Sequence, residues 1–93
     1  MGEIWTVWQA DDLLGEIAVT SSDFPWLIGS WQPTPKFEAV RHLFEDELAA
    51  VESDDWDEVY LRIWAAGIRM SKPSGDMVEE FILHLDRGKA WFR

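Results

Sequence analysis

His42 and His84 are the only imidazoles in the chain. His84 stands in the run Glu80-Phe81-Ile82-Leu83-His84-Leu85-Asp86, where apolar and polar residues alternate. Alternate residues of a strand share a face, so Glu80, His84 and Asp86 line up together. They form a weak candidate catalytic group, a base with carboxylates to orient it. Strand neighbours two apart are about 7 Å apart at Cα, which is long for a direct bond. His42 falls between the apolar and polar sides of a helical stretch and reads as a boundary residue. No HExxH spacing occurs, no serine sits in GxSxG, and neither common nucleotide-cradling glycine motif is present. With no cysteine there is no thiol nucleophile and no thiolate metal site. No cofactor is expected.

The acidic residues are concentrated. Nine of the 18 lie between Glu38 and Glu58. One reading is a solvated helical surface that keeps the chain soluble. Another is a negative patch that docks a basic partner, with Glu45, Asp46, Glu47, Asp54 and Asp55 as contact residues. A calcium loop over Glu52–Glu58 lacks the required central glycine and contains Trp56, so no metal is assigned.

Seven tryptophans are several times ordinary usage. Trp56 and Trp64 fall on a helical apolar stripe and read as core. Trp5 and Trp8 are three apart in a strand, and Trp26 and Trp31 five apart, so each pair divides between two faces. If helices cover one sheet face, two of these four lie on the other. Trp5, Trp8, Trp26 and Trp31 are therefore the candidate aromatic contact residues.

These residues need elements to position them. Ile4–Gln9 and Leu13–Thr20 read as a hairpin around Ala10-Asp11-Asp12. Residues 21–25 read as a loop ending in Pro25. Trp26–Gln32 reads as a third strand with Gly29 as a bulge. Thr34 is expected to cap a helix with Pro35 at its first position and an apolar stripe of Phe37, Val40, Phe44, Leu48 and Val51. Glu38, Glu45, Asp46, Glu47 and Glu52 are placed outside that stripe. Asp55 and Glu58 read as a capping box for a second helix with Trp56, Val59, Tyr60, Ile63 and Trp64 inward and Gly67 as its stop. Ile68–Lys72, Val78–Asp86 and Lys89–Arg93 read as strands, with turns at 73–76 and 87–88. The expected fold is α+β: a mostly antiparallel sheet, order βββ-αα-βββ, with two helices packed on one face.

The 93 residues are expected to form a single domain, 1–93. The chain carries a net charge of −10, divided as −12 over residues 1–58 and +2 over residues 59–93. That balance argues against direct nucleic-acid binding. No apolar run approaches membrane-spanning length, and no basic-apolar leader opens the chain, so a cytoplasmic location without membrane attachment is expected. Met1-Gly2 with Thr6 fits a myristoylation pattern only formally, without basic support.

The stretch Trp5–Ile17, with Val19-Thr20, Asp23-Phe24-Pro25-Trp26 and Phe81–Asp86, resembles short bacterial proteins of no assigned activity. The resemblance covers most of the chain and implies a bacterial cytosolic origin. It carries over no functional residue.

The charge polarity, the tryptophan surplus and the lack of a catalytic pattern point to a small non-enzymatic protein–protein interaction module. Its partner is expected to be a protein, with a homodimer as one form. Two alternatives stand beside it. One is an inhibitor or immunity-type protein acting on a basic partner. The other is a small-ligand binder or enzyme using a pocket near His84.

Overall fold

A computed structural model describes residues 2–78 and 80–93. Met1 of the formal myristoylation pattern and Glu79 of the expected Val78–Asp86 strand lie outside the described residues. The fold is α+β. Strands β1 (Ile4–Gln9), β2 (Asp12–Asp23) and β3 (Trp26–Pro33) come first. Helices α1 (Arg41–Ala49) and α2 (Trp56–Ala65) follow, then β4 (Ile68–Ser71), β5 (Met77–Val78), β6 (Leu83–Asp86) and β7 (Lys89–Phe92). All seven strands form one antiparallel sheet in the order β5-β4-β1-β2-β3-β7-β6.

That order forces the sheet to curl. Val78 and Leu83 lie in strands at opposite edges yet are five residues apart. Flat, seven strands span roughly 29 Å across, whereas five residues reach at most about 18 Å. Closing the edges toward one another resolves the mismatch. Trp5 on β1 and Phe92 on β7, separated by two strands, accordingly meet edge to face at 4.9 Å.

The registers assign the concave face to Trp5, Val7, Ile17, Val19, Trp31, Met70, Leu83, Leu85, Ala90 and Phe92. All but Trp5 are buried, and Trp5 packs against them. Phe37, Phe44, Tyr60 and Ile63 fill the same core from the helical side.

Several local expectations need correction. The 21–25 loop is shorter, because β2 continues to Asp23 and only Phe24-Pro25 turn, across a cis peptide. Gly29 is not itself the bulge. The extra residue is Thr20 on β2, and Gly29 pairs with Val19 beside it, where a Cβ would stand 2.2 Å from the Ala18 carbonyl oxygen. The first helix is broken. Pro35–Ala39 is a 3-10 turn, and Val40, at φ −121° and ψ 3°, separates it from α1. Thr34 does not cap it: its hydroxyl donates to the Leu13 carbonyl (2.6 Å). The break lets Phe37 pack on both Trp31 (5.2 Å) and Phe44 (5.7 Å). Asp55 likewise makes no cap bond, since its carboxylate accepts the Ser53 hydroxyl instead. Val51 of the expected stripe is 49% exposed.

The expected Val78–Asp86 strand divides between β5 and β6, which pair at opposite edges. Gly67, at φ +80°, ends α2 as its position required.

Candidate functional site

The outer face of β3–β7–β6 brings an imidazole, two indoles and two cations together. His84 pairs with Trp91 across the β6–β7 ladder, and Trp91 pairs with Ile28 across β7–β3. These residues share the outer face, and Trp26, two residues before Ile28, shares it too. The imidazole of His84 lies 5.4 Å from the Trp26 ring and 5.2 Å from the Trp91 ring. Arg93 stands over Trp26 at 5.0 Å and Lys89 over Trp91 at 5.6 Å. The result is a tilted aromatic stack in which both indoles contact the imidazole and each indole carries a cation over its ring.

Although His84 is on the outer face, it is only 5% exposed. The two indoles cover it, and α1 crosses the β6 edge to reach it. Phe44 of α1 enters the core, while Glu47, almost one turn on, turns to the imidazole. His84 Nδ1–H donates to Glu47 Oε1 (2.9 Å), and Trp56 Nε1–H of α2 donates to Glu47 Oε2 (2.6 Å). A carboxylate only accepts, so both nitrogens carry the protons. Glu47 is fully buried and each of its oxygens is occupied.

Tyr60 of α2 completes this region. Its hydroxyl donates to the Phe81 carbonyl (3.0 Å) and accepts the Leu83 N–H (2.8 Å). Leu83 sits opposite Phe92 between two exchanged pairs, so its N–H points away from β7. Tyr60 thus satisfies an edge that no strand covers. Burial pushes its phenol well above the ordinary tyrosine range, and the Glu47 charge adds to the rise.

Two concavities flank the stack. The smaller, about 210 Å³, lies on the outer face between Trp26 and Trp91 over Ile28, with Asp23 and Lys89 on its rim. The larger, about 410 Å³, lies between α1 and the 86–88 turn, with Phe37, Phe44 and Leu85 among its walls. It does not include His84.

The residues expected to act together divide differently. Glu80 and Asp86 are both exposed, and the carboxylate bonded to His84 is Glu47, 37 residues upstream. Glu47 therefore does not belong to the acidic contact surface. Glu45, Asp46, Asp54 and Asp55 are exposed. Trp31 is in the core at 4% exposure, and Trp5 is half-buried, packed against the core from the concave side. Trp8 is half-buried on the outer face, where its N–H donates to the Thr6 hydroxyl (2.8 Å). Trp26 remains half-exposed at the stack.

Trp91, Lys89 and Arg93 stand at this face and are not among the residues that the sequence reading singles out. A signal existed: the run Lys89-Ala90-Trp91-Phe92-Arg93 alternates cation or indole with buried apolar residues. Glu47 also had one, since it stands seven residues after Val40 and three after Phe44.

Among the described residues no group of three His, Asp or Glu side chains converges as a metal site. No helix among them is long and apolar enough to cross a membrane. No protein-family model, curated protein or solved structure matches the chain.

Proposed function

We propose that this chain is a protein-interaction module that docks a partner segment on the outer face of β3–β7–β6. The observation that carries the reading is the pocket between Trp26 and Trp91. It is a recess walled by two indoles over Ile28, with Lys89 and Asp23 on its rim and Arg93 over the Trp26 ring, on a chain whose net charge is −10. Indole walls supply large rigid contact area, and aromatic and arginine side chains are enriched where proteins meet. The recess fits an apolar side chain, and its cations favour a carboxylate next to that side chain. The partner chemistry is therefore a peptide segment with an apolar residue adjacent to Asp or Glu. The buried Glu47–His84 pair props the two indoles from beneath and so positions the walls.

Selection from a displayed random-peptide library tests this reading. Enrichment of peptides pairing an aromatic or aliphatic residue with an adjacent acid is expected, and Trp91→Ala should abolish it. Enrichment of basic peptides instead, lost on neutralising Glu45, Asp46, Asp54 and Asp55, would overturn it in favour of an inhibitor-type protein acting on a basic partner.

One observation favours a second reading, a small-ligand site. His84 held by Glu47 has the base-and-orienter geometry of hydrolytic sites, and among the described residues its Nε2 makes no hydrogen bond. No serine or threonine hydroxyl among them is bonded to it, so the reading is a binding site rather than an acyl-transfer centre.

A further inference from the structure

Resting on the docking role of the Trp26–Trp91 pocket, the structure points to one occupant. The pocket calls for an apolar side chain beside a carboxylate, and Asp23-Phe24 is such a segment. Phe24 sits on the β2–β3 turn and is 96% exposed, the most exposed large apolar residue among the described residues. It makes no aromatic contact within its own fold, although Trp26 is two residues away and all the other phenylalanines but this one are buried. The pocket, about 210 Å³, has room for a phenyl ring: a cavity of about 150 Å³ holds benzene.

We infer that the chain forms a two-fold dimer in which each Phe24 enters the Trp26–Trp91 pocket of the other copy. Knob and hole are adjacent on one surface. A single two-fold axis between them therefore makes both insertions at once and closes the assembly. Charge supports the same arrangement. Asp23 and Lys89 share the pocket rim, and the two-fold proposed is the one that sets each Asp23 against the Lys89 of the other copy. Approach through the helices would instead oppose exposed acids. The contact is a turn and a small recess, well under the size of a permanent interface, so association is weak, with Kd between about 10 µM and 1 mM.

Sedimentation over a concentration series spanning that range tests the proposal. The weight-average mass of the wild type should climb from monomer toward dimer. Phe24→Ser alters a solvent-exposed side chain, so its circular dichroism should match wild type while its Kd rises at least tenfold. Asp23→Lys and Lys89→Glu should each remain monomeric alone, and an equimolar mixture of the two should dimerise, because the swapped charges meet. A wild type that stays monomeric throughout overturns the dimer. If the peptide selection succeeds all the same, the docking pocket stands and its occupant is another protein. A wild-type dimer indifferent to Phe24→Ser and to the charge swap also overturns the proposal, since another face would then carry the contact.

Discussion

Glu47 shows how much one side chain can decide. It is fully buried, and His84 and Trp56 each give it a hydrogen bond. Removing the acceptor strands two donors in the interior. Loss of one partner of a buried pair costs about 3–5 kcal/mol, a large share of a small domain's stability. Urea unfolding of Glu47→Ala should show that loss, whereas Glu45→Ala, one turn-face away on the exposed side, should stay within about 0.5 kcal/mol of wild type. Glu47→Leu combined with His84→Leu should be less damaging than Glu47→Leu alone, because no imidazole donor is then left unpaired. Equal midpoints for Glu47→Ala and Glu45→Ala would show that the network holds nothing. Tyr60 offers a second test. It is the sole tyrosine, and its phenol is held above the usual range chiefly by burial. Its folded pKa exceeds its unfolded value of about 10. The unfolded chain thus releases the proton first, and stability is intact below about pH 10 and declines above it, by at most about 1.4 kcal/mol per pH unit. Tyrosinate absorbance should therefore rise together with loss of circular dichroism and not before it. Absorbance that rises while the fold persists would contradict this burial. At this scale His84 was legible in the sequence as the one imidazole with a site-like setting. Its partner was not, because strand spacing points to Glu80 and Asp86, while the contact with Glu47 depends on how α1 crosses β6.

The strands themselves were legible because turn formers bracket alternating runs: Ala10-Asp11 ends β1, Pro25 ends the β2–β3 turn, and Arg87-Gly88 joins β6 to β7. What local pattern did not show was the curl. It arises because β5 and β6 pair at opposite edges, a long-range choice that no window of ten residues records. The same limit hid the helix break at Val40, where tertiary packing of Phe37 on Trp31 outweighs the continuous three- and four-residue spacing. Gly29 is the element-level weak point. Beside the β2 bulge, any Cβ meets the Ala18 carbonyl at 2.2 Å, and the obstruction is backbone that cannot rotate aside. Gly29→Ala should therefore lower stability by about 2–3 kcal/mol in thermal or urea melts. Gly88 has nothing within 4 Å of its Cβ position and no positive φ. Gly88→Ala should consequently be neutral or stabilising by up to about 1 kcal/mol. Similar losses at both positions would mean that the β2–β3 approach is looser than the register requires.

Over the whole molecule, the net charge of −10 is distributed rather than paired. Among the described residues two ion pairs of lysine or arginine form, Lys36–Asp12 and Arg41–Glu38, and both are exposed. Exposed pairs contribute about 0–1 kcal/mol each, too little to offset the surplus. Nine of the 18 acids lie between Glu38 and Glu58, where Glu45, Asp46, Asp54 and Asp55 are all exposed, and the cations Lys89 and Arg93 sit at the Trp26–Trp91 face beside Asp23. The molecule measures 35 × 30 × 23 Å. At about 10 mM salt the screening length is about 30 Å, so every acid acts on every other; at about 1 M it is about 3 Å, and almost none do. Sodium chloride should therefore raise the melting temperature across that range. A gain of about 1 kcal/mol corresponds to roughly 4–8 °C for a chain of this size. Replacing Glu45, Asp46, Asp54 and Asp55 together with their amides should raise the melting temperature at low salt and flatten its salt dependence, so that the two proteins converge at high salt. Parallel salt curves would show that the repulsion does not originate on the helices. Convergence would mean that the helical acids carry a stability cost in the free chain, one that a partner bringing positive charge to that side would relieve.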